Sequence, residues 1–119
     1  MKIILKTKNI ELTDFIEDMI YEKIGRLEHF ISFLKTEDSE IFVEIEKETK
    51  HHKKGDIFGA EAIVTLPGKK LVARAKGEDL SQIIGEVKDE LEKEIRTYKT
   101  KTVDLPRRKY QKTKNKFEY

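Results

Sequence analysis

The order of hydrophobic periods along this chain constrains its fold more tightly than any single motif. Residues 2–8 alternate as a short strand, with Ile3 and Leu5 on one face and Ile4 on the other. Ile16, Met19, Ile20, Ile24, Leu27, Phe30 and Ile31 then recur at helical spacing, which predicts one helix of roughly five turns. Thr13 suits its N-cap, and Asp14 suits the positive end of the helix dipole. Residues 39–47, 57–66 and 69–76 alternate in twos again, separated by a polar loop and by Pro67-Gly68, a tight-turn signal. Asp79 and Gln82 have capping-box spacing, and Leu80, Ile83, Ile84, Val87, Leu91, Ile95 and Tyr98 form a second helical stripe. The pattern fails after about Thr100, where a polar, basic run begins.

That order predicts an α+β fold, a β-α-β-β-β-α two-layer sandwich. Its four-stranded sheet carries two helices on one face, as in double-stranded-RNA-binding domains. Residues 1–100 form the domain and 101–119 a basic C-terminal tail without a packed core. Gly25 inside the first helix costs about 1 kcal/mol relative to Ala, which the packed stripe overrides.

Composition bounds the chemistry. In 119 residues, 37% are hydrophobic and 40% charged, so a thin core lies under a densely charged surface. With no cysteine, a disulfide framework, a thiolate metal site and a cysteine nucleophile are excluded. The apolar runs are too short for a membrane span, and the strand pattern begins too close to Met1 for a signal peptide. The expected location is the cytoplasm. The net charge of +2 hides an asymmetry, because residues 96–119 carry nine Lys or Arg against two acids. A basic end on an acidic body favours a polyanion gripped at selected places.

Candidate contacts follow from helical projection. Lys88, Arg96 and Lys99 lie on one flank of the second stripe, and Lys93 reaches round the back. Glu86, Glu90 and Glu94 stack on the other flank, and Asp89–Lys93 and Glu92–Arg96 have i,i+4 spacing. On the first helix Lys23, Arg26 and His29 follow one edge of the stripe, with Lys23 snorkelling across apolar surface. Two such helices form a groove suited to phosphates; the plainer reading is ordinary solvated charge. Arg107, Arg108 and Lys109, with Tyr110 beside them, read as an RNA-binding arm or as a solubilising end.

Other candidates lead away from catalysis. His51 and His52 point apart in an extended loop and have no carboxylate at chelating spacing. Glu44 and Glu46 are explained by pairing across the outer sheet face with Lys6 or Arg74. Pro67-Gly68-Lys69-Lys70 lacks P-loop spacing. The reading is therefore a binding protein that needs no cofactor, metal or small-molecule substrate.

Several short segments recur in a known order: Asn9-Ile10-Glu11-Leu12-Thr13, Lys23-Ile24-Gly25-Arg26-Leu27-Glu28, Ala60-Glu61-Ala62 with Leu66-Pro67-Gly68, and Leu71-Val72-Ala73 with Glu78-Asp79-Leu80. Together they resemble the ribosome hibernation-promoting factors, including the ribosome-associated inhibitor A type, over about residues 1–100. The resemblance implies a protein that binds the small ribosomal subunit and its rRNA in the channel used by mRNA and tRNA, silencing idle 70S ribosomes. It implies rRNA contacts at Lys23, Arg26, Lys76, Lys93, Arg96 and Lys99. The free protein is expected to be monomeric. The chain departs from the family pattern at Ser81, where an aromatic is common, and at Glu90 and Glu94, which reduce the positive face. A general double-stranded RNA-binding module is the alternative reading.

Overall fold

Inward-facing side chains at every second strand position build one apolar sheet face, and the helices cover it. A computed structural model describes residues 2–32, 39–48 and 56–104. The elements are β1 (Lys2–Lys8), α1 (Asp14–Gly25), α2 (Glu28–Ile31), β2 (Glu40–Glu48), β3 (Ile57–Leu66), β4 (Lys69–Gly77) and α3 (Leu80–Lys99). A π-helical turn at Thr100–Asp104 follows α3.

The sheet order is β1-β2-β3-β4, with β1 and β2 parallel and the other pairs antiparallel. The parallel pair follows from the connection, because α1 and α2 carry the chain back across the sheet. Register aligns Leu5, Val43, Ala62 and Ala73 in one row and Ile3, Ile41, Val64 and Leu71 in the next. These rows pack against Ile20, Ile24, Leu27 and Ile31 from the first helical segment and Ile83, Ile84, Val87, Leu91 and Ile95 from α3. Ala60, Ala62 and Ala73 are small enough to let the helices settle close to the sheet.

The first helix differs from the single helix that its period predicts. It breaks after Gly25, and α2 begins at Glu28. Arg26 and Leu27 have ψ of −22°, in the range of the tighter 3₁₀ turn. The Leu27 amide donates to the Ile24 carbonyl at 3.0 Å and the Phe30 amide to the Leu27 carbonyl at 3.0 Å, both three residues back. Glycine weakens the α-helix at that step. The buried stripe nonetheless continues through Ile24, Leu27 and Ile31, since fully burying an Ile or Leu is worth about 1.5–3 kcal/mol and outweighs the break.

The predicted caps form: Thr13 Oγ1 accepts from the Ile16 amide at 3.2 Å, and Asp79 Oδ1 from the Gln82 amide at 3.3 Å. At the β3–β4 turn Gly68 has φ of +75°, which only glycine adopts without strain. Tyr98 donates its hydroxyl to the Pro67 carbonyl at 2.8 Å, tying the end of α3 to that turn.

Candidate nucleic-acid interface

The residues that the sequence nominates as one basic surface divide into three environments. Arg96 and Lys99 from α3 meet His29, Phe30 and Ser32 around a shallow hollow of about 230 Å³. The Arg96 guanidinium lies over the Phe30 ring, 5.0 Å from its centroid, and the His29 ring meets Phe30 edge-on. A guanidinium held over an aromatic face is oriented while its outer donors stay exposed to an incoming phosphate. Arg96 also donates to Glu92 at 2.8 Å, the i,i+4 pair that the sequence predicts. Arg26 is exposed on the same helical edge as His29 and pairs with Glu22 at 3.3 Å.

The second environment is internal. Lys23 Nζ donates to the Ser81 carbonyl at 2.8 Å and to Ser81 Oγ at 2.7 Å, bridging α1 and α3. Its head lies where a Cβ at Gly85 would come within 3.9 Å, so two small residues on α3 make the room it occupies. Lys88 donates to Glu92 at 2.8 Å and lies 3.5 Å from Asp89, with its side chain only 18% exposed. The Glu92 carboxylate raises the Lys88 pKa, and the Lys88 ammonium lowers that of Glu92. Lys23 and Lys88 thus spend their donors within the fold. The predicted Asp89–Lys93 pair gives way to Lys88–Asp89.

The third environment is separated from the first by α3 or by the sheet. Lys93 faces Lys69, Lys70, Glu90, Glu94 and Thr97 in a hollow of about 200 Å³ between α3 and β4. There Glu94 Oε2 is buried without a hydrogen-bond partner among the described residues, and burial, then the neighbouring Glu90, raises its carboxyl pKa. Lys76 pairs opposite Gly59 on the sheet face away from the helices and donates to Glu48 at 2.8 Å, which raises its pKa. On that outer face Lys6, Glu44, Glu61 and Arg74 share a row. Arg74 bonds Glu61, and Glu46 lies 3.9 Å from Lys8. The expected pairings of Glu44 and Glu46 with Lys6 or Arg74 do not form: Arg74 goes to Glu61 and Glu46 to Lys8, while Lys6 and Glu44 share their row without an ion pair among the described residues.

Two contributors escaped sequence reading. Phe30 belongs to the apolar stripe and packs against the core, yet it is only half-buried and also supports Arg96; its place at the stripe's end, beside His29, is the available signal. Ser81 gave no signal as a lysine acceptor. Arg107, Arg108, Lys109 and the His51-His52 loop lie outside the described residues. Among the described residues, no helix is long and apolar enough to cross a membrane.

Residues 3–103 match the family described as Sigma 54 modulation protein / S30EA ribosomal protein. The chain belongs to that family. Its relatives include a ribosome hibernation promotion factor of Lactococcus lactis subsp. cremoris, 30% identical over 109 residues, covering 90% of this chain and 54% of that protein. The chain therefore spans about half the length of that relative. A ribosome hibernation promoting factor of Pseudomonas putida is 26% identical over 105 residues, covering 88% and 93% of the two chains. Among solved structures, a ribosomal subunit interface protein from Coxiella burnetii shares the fold with a TM-score of 0.65 at 17% identity, over 84% of this chain and 99% of that one. The N-terminal domain of Thermus thermophilus Protein Y superposes with a TM-score of 0.62 at 26% identity, over 82% and 99%. As a member of this family, the chain has the four-stranded sheet and same-face helices that its period order predicts.

Proposed function

We propose that this chain is a non-enzymatic hibernation factor that binds the small ribosomal subunit and blocks its mRNA and tRNA channel. Family membership supports the ribosomal partner. The observation that carries the contact is the hollow where Arg96, Lys99 and His29 converge beside Phe30. There rRNA phosphate replaces water on the cations, and the rigid two-layer body fills the channel sterically. Arg26 extends this contact along the helical edge. Lys93 and Lys76 make separate contacts, if rRNA wraps the body, because they face other directions. Residues 101–119 supply a further basic arm.

The decisive experiment is co-sedimentation of purified small subunits with wild type and with Arg96→Glu/Lys99→Glu. Both side chains are exposed, so the variant stays folded, with a melting transition lowered only by the lost Glu92 and Phe30 contacts, while losing at least about tenfold in affinity. Unchanged binding sinks the assignment. Comparable wild-type affinity for free duplex RNA and for ribosomes favours a general double-stranded RNA-binding module instead. Truncation after Thr102 tests the arm separately: equal affinity at physiological salt rejects its role.

A further inference from the structure

The outer face of α1 has chemistry opposite to the basic hollow. From Glu11 to Glu22 the chain carries five acidic residues and no Lys, Arg or His. Glu11, Asp14, Glu17 and Asp18 form no ion pair among the described residues, and only Glu22 is paired, to Arg26. Asp14 and Glu17 occupy the first helical turn, where the helix dipole accounts for them. Asp18 stands beyond that turn and has no such role.

Apolar groups are exposed within the same acidic stretch. Phe15 is 77% exposed, with Tyr21 at 45% and Leu12 at 39%. Helical geometry places Phe15, Asp18 and Glu22 on one face, directed away from the buried Ile20 and Ile24. The Phe15 ring contributes little to the core, so its exposure is available to a partner. A nucleic-acid backbone is excluded here by the surrounding carboxylates, whereas a basic protein surface with an apolar cleft complements both the charge and the ring.

We propose that this face, centred on Phe15, docks a basic protein of the small ribosomal subunit. The inference rests on the ribosomal reading above and extends it: the edge from Arg26 to Lys99 takes rRNA phosphate, and the first turns of α1 around Phe15 take protein. A body held among phosphates must turn its acidic face toward cationic groups, which makes docking specific in orientation.

The test uses purified small subunits and the full chain carrying the photo-crosslinker benzoylphenylalanine at position 15. Irradiation is expected to join it to a small-subunit protein, identified by mass spectrometry. Adducts only to rRNA, only to a second copy of this chain, or none at all overturn the proposal. In parallel, Phe15→Ser/Asp18→Lys is expected to weaken subunit binding about tenfold with an unchanged melting transition; equal or tighter binding also overturns it. The ribosomal reading fails differently, through absence of wild-type co-sedimentation, and takes this partner down with it.

Discussion

Lys23 on α1 and Ser81 at the start of α3 form a two-point bridge, with the lysine ammonium 2.7 Å from the serine hydroxyl and 2.8 Å from its carbonyl. Similarity to ribosome hibernation factors nominates Lys23 as an RNA contact. In the fold its ammonium bonds Ser81 and links the two long helices. Gly85, one turn on, leaves open the space that the lysine head occupies beside Ser81.

In a double-mutant cycle of Lys23→Met and Ser81→Ala followed by thermal or urea unfolding, we expect a coupling energy of about 0.5–1 kcal/mol. The carbonyl half of the bridge survives in Ser81→Ala, which keeps the coupling below the full value of the contact. Additive single effects would show that the bridge does not form in solution.

Ribosome affinity should fall steeply with salt, because each phosphate contact releases counterions. Neutralising Arg96 and Lys99 together, as Arg96→Gln/Lys99→Gln, should flatten the slope of log K against log salt by about 1.5. The same change at Lys23 and Lys88 should leave the slope nearly untouched, because their donors are occupied internally. A slope equally sensitive to both pairs would contradict the division of the basic residues described above.

Replacing Tyr98 with Phe removes the hydroxyl that the Pro67 carbonyl accepts from and leaves the ring packing intact. The expected loss is about 1 kcal/mol in equilibrium unfolding. No change in the unfolding midpoint would show that water satisfies both groups equally well.

Glu94 sets a pH dependence. Burial and Glu90 raise its folded-state carboxyl pKa above the ordinary value, with Lys69 offsetting part of the effect. A carboxylic acid with a raised folded pKa favours the fold while protonated; that contribution is complete below its unfolded pKa and is lost as pH rises through the folded one. Glu94→Gln stays neutral throughout. It should therefore be more stable than wild type at pH 7, with the advantage fading as the pH falls below the ordinary glutamate range. Unfolding curves at neutral and acidic pH check the sign: a larger advantage in acid would refute the assignment.

Much of the fold was legible because hydrophobic period reports secondary structure directly. Alternation at Ile41, Val43 and Ile45, the i,i+3/i+4 stripe from Ile83 to Ile95, and the caps at Thr13 and Asp79 are local signals with local causes. Less was legible at the interface. Helical projection placed Arg96 and Lys99 on one flank of α3, but it could not show Phe30 beneath the guanidinium, because that contact joins separate helices.

The amino-acid sequence by itself therefore determined the element order, the core-facing residues and the family to which the chain belongs. Only the tertiary structure decided which cations share one basic edge: Lys23 turns to Ser81, Lys88 to Glu92, and Lys76 is exposed on the opposite sheet face. The physical reason is range. Periodicity and capping act within a few residues, whereas a charge selects its partner through space, among groups that folding alone brings together.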